Sequence, residues 1–462
     1  MEYKPHNYQA YAIQRIVTDD AVGLFLRPGL GKTSITLSAI NILKYYRWAV
    51  SKVLVVAPKK VAEGTWSKEA SKWDHLQHLR VATVLGSTTK RIKAINTPAD
   101  VYVINRENIP WLVDYYKQEW PFDMVVLDES TSFKNSQSKR FKALKLVRRF
   151  MKKVVLLTGT PSSRGIEDIW AQIYLLDEGK RLGKTITAYR QMYFNCNTHG
   201  GHFTEYTAKE GAEAAVLNAI NDICISMSAE DYLTLPSLIE HEIPVVLDGK
   251  AAKAYKQFER DLLLELDEDV VTAQTAGVLT GKLLQFCSGA IYNEDKKVLP
   301  LHDCKLDAYM ELLESLEGER CITFYGFQHD KERILNALAK TKLRVRVYKD
   351  TADEDAWNNG EIDVLLVHPA SCAYGLNLQA GGRHIIWFTP NWSFELNDQG
   401  KCRLWRQGSP YDKVFVHYLV VQGGVDEDVM KAVQDREDTH QNVMNVLKAR
   451  IRKVKGVDAN DT

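Results

Sequence analysis

Short apolar runs recur through the first third of the chain. Val22 to Leu26, Val53 to Ala57, Val81 to Leu85, Val101 to Ile104, Met124 to Leu127 and Val154 to Leu157 each read as a buried strand. Helical stretches separate them, the alternation expected of a parallel α/β sheet with crossover helices. A second series follows in Cys321 to Tyr325, Val345 to Tyr348, Val364 to Val367, His384 to Phe388 and Val414 to Leu419. Two α/β domains are implied. Between them, from about Ser162 to Gln285, the pattern turns mainly helical, punctuated by turn signals at Leu235-Pro236-Ser237 and Asp248-Gly249. The expected boundary falls near Pro236. The first domain covers 1–235 with a helical extension from about 162, the second covers 236–455 with a helical insertion, and 456–462 is a short disordered tail.

Composition narrows the class. A chain of 462 residues has room for two or three domains with ample core, and 45% hydrophobic and 26% charged residues suit an ordinary soluble globular protein. No run of eighteen apolar residues occurs, and the opening Met1-Glu2-Tyr3-Lys4-Pro5-His6 has no apolar core, so neither membrane spanning nor export is expected. The seven cysteines are scattered without a Cys-x-x-Cys pair, which reads as reduced thiols in a cytoplasmic setting. Cys196, His199 and His202 lie close together but in a Gly-rich segment with no fourth ligand, so a plain loop is expected there. Net charge is +1, so any grip on nucleic acid must come from a local basic surface. Lys139 to Lys153 is one candidate, with Lys139, Arg140, Lys142, Lys145, Arg148, Arg149, Lys152 and Lys153 around Phe141, Leu144, Val147 and Phe150. A solvated helix face and a phosphate-contacting one both fit it.

The candidate chemistry begins where Gly23-Leu24-Phe25-Leu26 runs into Arg27-Pro28-Gly29-Leu30-Gly31-Lys32-Thr33-Ser34, opening an amphipathic helix through about Tyr46. That layout aims loop amides and a helix N-terminus at one point, which is how proteins hold a nucleotide's phosphates. Leu26 stands where the strict motif has its leading glycine, while Gly29 and Gly31 still let the backbone approach closely. Gly29, Gly31, Lys32, Thr33 and Ser34 are thus candidate nucleotide-binding residues, with Lys32 reaching the β- and γ-phosphates and Thr33 offering its hydroxyl to Mg²⁺. A second Gly-Lys-Thr, at 183–185, lacks a preceding buried strand and reads as a surface loop.

Met124 to Leu127 ends in Asp128-Glu129, which sets Asp128 at the C-terminal sheet edge, where α/β ligands bind. Asp128 would hold Mg²⁺, and Glu129 would orient or deprotonate an attacking water. Read alone, the pair is turn chemistry; beside the Lys32 loop, function is the better reading. Val154 to Leu157 leads into Thr158-Gly159-Thr160-Pro161, whose hydroxyls would sense the nucleotide, although Thr, Gly and Pro also suit an ordinary turn. Further on come Gly375-Leu376-Asn377-Leu378 and the series from Gln399 to Arg406. Arg403 and Arg406, three apart on a helix, share one face. They are either a surface pair in salt bridges or fingers on a γ-phosphate, a class worth roughly 10³ to 10⁵ in rate.

Taken in order, these elements resemble SWI/SNF-type members of the superfamily-two helicases, from about Tyr8 to Met430. Tyr8-Gln9 resembles the adenine-reading glutamine motif. Ala57-Pro58 with Trp66, Glu69 and Trp73 resembles the next, DNA-side motif, and Phe133-Lys134-Asn135 a Lys-Asn after the acidic box. Thr323-Phe324-Tyr325-Gly326 is similar to the fourth motif; Gly375 to Leu378, Trp387, Trp392 and Gln399 to Gln407 are similar to the fifth and sixth. The wording of the last motifs most resembles small phage and bacterial members.

The resemblance implies two RecA-like parallel-sheet lobes and an ATPase, using ATP and Mg²⁺, that moves along double-stranded DNA, usually without strand separation. Gln9, the phosphate loop and Gly375 would bind nucleotide; Lys32, Asp128, Glu129, Arg403 and Arg406 would serve catalysis; Thr158, Thr160 and Gln399 would couple hydrolysis to movement. ATP would bridge Lys32 and Arg406. DNA would be held mainly through phosphates, in a salt-sensitive and sequence-tolerant grip. A monomer working with unidentified replication, repair or recombination proteins, and no membrane, completes the expectation. An unwinding helicase on RNA or single strands and an ATP-bound DNA clamp are the alternatives. In one respect the chain departs from the family, whose acidic box carries a histidine fourth. Here the series is Asp128-Glu129-Ser130-Thr131, which leaves the usual link from hydrolysis to the Thr158-Gly159-Thr160 segment without its expected residue.

Overall fold

The computed structural model describes residues 1–27, 29–159, 161, 165–199, 203–227, 235–264, 273–372, 376–406, 409–434 and 450. The chain divides into two compact units, Met1–Thr234 and Leu235–Thr462. The tail expected at 456–462 lies outside the described residues.

In the first unit the apolar runs form β1 (Ala21–Leu26), β2 (Val53–Ala57), β3 (Val81–Val84), β4 (Val101–Asn105), β5 (Met124–Asp128) and β6 (Lys153–Thr158). Hairpin strands β7 (Phe194–His199) and β8 (Phe203–Ala208) follow, then β9 (Cys224–Met227). The main sheet has the order β3-β4-β2-β5-β6-β1-β9, and every pairing in it is parallel. β2, β4, β5 and β6 are buried along their whole length, which explains why their sequences are apolar without alternation. Leu54, Val56, Tyr102, Ile104, Val125, Leu127, Val154 and Leu156 share one core with residues of the helices Ile109–Tyr116, Lys139–Val147 and Ile169–Asp177.

The second unit contains β10 (Ser237–Val245), a hairpin of β11 (Ala290–Tyr292) and β12 (Val298–Pro300), β13 (Cys321–Phe324), β14 (Val345–Val347), β15 (Val364–Val367), β16 (His384–Trp387) and β17 (Lys413–Val421). Its main sheet runs β10-β17-β16-β13-β15-β14, again parallel throughout. Both expected parallel sheets are therefore present. No helix among the described residues is long and apolar enough to cross a membrane.

The segment expected to be mainly helical holds more strand than its pattern suggests. β10 fills the stretch between the two turn signals and pairs with β17 over nine residues. Cys196 and His199 sit on β7, while His202 lies outside the described residues. At the second Gly-Lys-Thr, Thr185 caps the helix Ile186–Tyr193 by accepting from Ala188 N at 3.2 Å.

The basic stretch Lys139 to Lys153 also proves to be more than one helix face. The helix ends at Val147. Arg148 turns inward and donates to Leu175 O at 2.6 Å and to Leu176 O, carbonyls at the end of the helix Ile169–Asp177 that lack an intrahelical partner. Lys153 is a buried member of β6 whose Nζ donates to Asp19 O at 2.7 Å. Arg140 lies over the Phe133 ring. Lys139, Lys142, Lys145, Arg149 and Lys152 remain on the surface.

One interaction anchors the second unit. Lys305 and Asp426 form a fully buried ion pair, and Asp426 Oδ2 also accepts from Val421 N at 3.0 Å. Asp426 stands in the first turn of the helix Val425–Gln434, where a negative charge is favoured. Removing one partner of such a pair costs about 3–5 kcal/mol, because the other is left as an uncompensated buried charge. Lys305→Met should therefore destabilise the second unit by about that amount in urea unfolding, and adding Asp426→Asn should recover more than half of it. Equal losses in the single and double variants would show that the charge is not the cause.

Candidate nucleotide site

The sheet register assembles the site. Phe25 of β1 pairs with Thr158 of β6, and Leu157 of β6 pairs with Asp128 of β5. The loop after β1, the carboxylates after β5 and the turn after β6 therefore leave the same sheet edge side by side. In a parallel sheet this C-terminal edge is where ligands bind.

After β1 the chain turns through Gly29 (φ 92°) and Gly31 (φ 78°), both left-handed positions that favour glycine, and Lys32 opens the helix Lys32–Asn41. The first helical bond runs from Ile35 N to Gly31 O at 2.9 Å, so the amides of Lys32, Thr33 and Ser34 precede the intrahelical ladder. Lys32 Nζ folds across the loop and donates to Leu26 O at 2.7 Å. Ser34 Oγ donates to Gly31 O at 2.9 Å and so braces its own loop. Thr33 is half-buried in the first turn.

Tyr8 and Gln9 hold this loop from behind. Tyr8 OH and Gln9 Nε2 both donate to Leu30 O, at 3.2 and 3.3 Å, while Gln9 Oε1 accepts from His6 N at 3.0 Å. A Cβ at Gly31 would approach Gln9 Nε2 to 2.7 Å, so the glutamine and the glycine are fitted to each other. The structure thus places Gln9 against the Gly29–Gly31 loop itself.

Asp128 ends β5 and is 8% exposed. Burial pushes its carboxyl up to about 7, and the negative charge of Glu129 adds to the rise; Lys32 and a hydrogen bond from Trp66 pull the other way. The Lys32 contribution means that ammonium and carboxylate act on each other across the loop. Trp66 Nε1 donates to Asp128 Oδ2 at 3.1 Å from a side chain that is 1% exposed. Within the segment that resembles a DNA-side motif, the Trp66 indole thus points inward, to the carboxylate. Glu69 and Trp73 pair with each other, Trp73 Nε1 donating to Glu69 Oε1 at 2.6 Å. Glu129 has φ 52° and ψ 62°, a left-handed conformation that costs a non-glycine residue on the order of 1 kcal/mol.

The donor set suits Mg²⁺ with ATP. Asp128 offers a buried carboxylate next to a second negative charge, so a cation would offset the strain that raises its pKa. Together with the Thr33 hydroxyl it is an oxygen set of the hard kind Mg²⁺ prefers.

In the second unit Arg403 and Arg406 come together by a different route from the one expected. The helix Phe394–Lys401 stops before them, and the chain continues in turns, with Arg403 N bonded to Gly400 O and Leu404 N to Lys401 O. Both guanidinium groups still reach one atom: Arg403 Nη1 and Arg406 Nη1 donate to Leu376 O at 3.1 and 3.4 Å. Arg403 is 5% exposed and also donates Nε to Gln399 O at 2.9 Å, whereas Arg406 is half-buried. Gln399 Nε2 donates to Glu395 Oε1 at 3.2 Å. Thr158 is buried at the end of β6; Thr160, Gly375 and Gln407 lie outside the described residues.

Comparison with known proteins agrees with this layout. Residues 18–288 match the family described as SNF2-related domain. Protein p41 of Acyrthosiphon pisum secondary endosymbiont phage 1 is 35% identical over 452 residues, covering 94% of this chain and 97% of that protein. The DNA annealing helicase and endonuclease ZRANB3 of Bos taurus is 24% identical over 444 residues, and the match spans 93% of this chain but 39% of that protein. Among solved structures, the Hef helicase domain of Pyrococcus furiosus superposes with a TM-score of 0.54 at 16% identity, covering 93% of this chain and 98% of that one. That likeness is one of fold, and the two parallel sheets are RecA-like.

The state of Asp128 has a measurable consequence. Its folded pKa of about 7 lies above the ordinary 3.8, so the folded protein binds this proton more tightly than the unfolded chain does. Stability must then fall as pH rises through that window. In the protein free of metal and nucleotide, Asp128→Asn should raise the melting temperature near about pH 8, and the gain should vanish by about pH 4. An equal shift at both pH values would mean that the carboxylate's charge is not responsible.

Proposed function

We infer the function from a premise the matches establish: this chain belongs to the SNF2-related domain family of SWI/SNF-type, superfamily-two proteins. It is an ATP hydrolase that moves on duplex DNA. The observation that carries this reading is the buried Asp128 carboxylate, coupled to Lys32 and tied to Trp66, on the sheet edge that also bears the glycine loop. DNA as the track is supported by the relative named a DNA annealing helicase.

Lys32, drawn off Leu26 O, binds the β- and γ-phosphates. The loop amides ahead of Ile35 N and the N-terminus of the helix Lys32–Asn41 receive phosphate oxygens. Thr33 and Asp128 would hold Mg²⁺, whose charge neutralises the phosphates. Trp66 fixes the carboxylate that does so, and Glu129 orients the attacking water and takes its proton. Arg406 stabilises charge on the γ-phosphate, and Arg403, committed to Leu376 O and Gln399 O, positions the segment that presents it.

Lys32→Ala and Glu129→Gln should each lower turnover by at least about 100-fold, with Glu129→Gln still binding ATP. Arg406→Ala should reduce turnover while nucleotide affinity stays. The deciding assay compares ATP hydrolysis with duplex DNA, single-stranded DNA and RNA side by side. Duplex DNA should stimulate most. Stimulation by RNA or single strands alone replaces the track, and a protein that hydrolyses ATP with none of the three is no motor.

A further inference from the structure

The acidic box lacks the family's histidine, yet a different side chain spans the same interval. Ser130, next to Glu129, is 0% exposed, and its Oγ donates to Gln172 Oε1 at 2.7 Å. Gln172, 1% exposed on the helix Ile169–Asp177, donates Nε2 to Pro161 O at 2.6 Å and to Asp168 O at 3.1 Å. One amide therefore joins the residue after the water-orienting carboxylate to the end of the Thr158–Pro161 segment. Its orientation is fixed by its neighbours. Turned over, the amide would set its oxygen against two carbonyls, so Nε2 must face them and the Ser130 hydroxyl must be the donor. A second tie runs parallel to it: Lys134 Nζ pairs with Asp168 Oδ2 at 3.0 Å, from the turn that follows the acidic box to the residue before the same helix.

Breaking the Ser130 or Asp168 bond of this chain would strand buried polar atoms, each at a cost of about 1–3 kcal/mol, while the Pro161 bond is part-buried. Ser130 and Pro161 are thus constrained to move together. The left-handed Glu129 is the joint between that chain and Asp128, a strained residue of the kind found at switch regions. We propose that the Ser130–Gln172–Pro161 relay transmits displacement of the Asp128-Glu129 turn to the Thr158–Pro161 segment, making Ser130 and Gln172 positioning residues that couple ATP hydrolysis to nucleic-acid stimulation. The inference rests on the motor reading above.

The test measures ATP turnover without nucleic acid and with saturating duplex DNA, in the full chain, for wild type, Gln172→Leu, Ser130→Ala and the double variant. Gln172→Leu keeps nearly the same volume and removes every polar atom of the relay. Basal turnover should stay within about twofold while the stimulated rate falls about tenfold, with an unchanged DNA concentration for half-maximal effect. The double variant should lose no more than Gln172→Leu alone, because both substitutions cut one chain. A purely structural role would lower basal and stimulated rates together, and that result overturns the relay. So does a Gln172→Leu protein stimulated like wild type. If Gln172→Leu does not fold, Ser130→Ala removes one bond and is judged by the same two rates. A wild type that no nucleic acid stimulates overturns the motor reading instead, and the relay with it.

Discussion

Everything functional in the first unit depends on the adjacency of three strands. Because β5, β6 and β1 are neighbours in a parallel sheet, their C-terminal ends share one edge, and their apolar bodies can be buried without any polar interruption. The candidate polar groups sit at the last residue of each strand or just beyond it. Moving β6 by one residue would reverse the facing of every side chain on it and bury its polar tip in the wrong layer. The same register that closes the core thus sets the distance between Lys32, Asp128 and Thr158.

A carboxylate at that edge is expensive to keep ionised. Asp128 loses solvation and meets Glu129, while Lys32, the Trp66 indole and the Glu129 backbone N–H oppose the two effects. Trp66 combines both roles an interior residue can have here. Its ring fills core, and its N–H meets an oxygen that would otherwise be buried beside a like charge. Burial of this kind leaves the site short of positive charge, which a divalent cation would make good.

The inner parallel strands were legible in the sequence because a strand covered on both faces needs an unbroken apolar run. The strands that escaped notice are those freed from that demand. β10 is mostly exposed at a sheet edge and reads Ser-Leu-Ile-Glu-His-Glu-Ile-Pro-Val, with a proline that only an edge strand tolerates. The β7–β8 hairpin carries Asn, Cys, Thr and Glu and forms a two-stranded sheet of its own. At the candidate site, the glycine loop, the Asp128-Glu129 pair and the Arg403–Arg406 segment could be picked out by residue type and order. Their second partners could not. A tryptophan eight residues beyond Pro58 gives no sign that it donates to Asp128, and Arg403 and Arg406 meet at Leu376 O through turns rather than a helix.

Gln172 shows the limit most clearly. On the helix Ile169–Asp177, whose other residues are almost all apolar and buried, a lone glutamine reads as a minor blemish in a core stripe. A buried amide is tolerated only when its donors and acceptor are all matched, and here two carbonyls and one hydroxyl supply the match. A leucine, of nearly the same volume, would spare the desolvation. The polar side chain is therefore costly as packing and useful only for what it joins. Those contacts lie on either side of the strained Glu129 turn and the end of β6, the two places where the state of a bound nucleotide would first be felt.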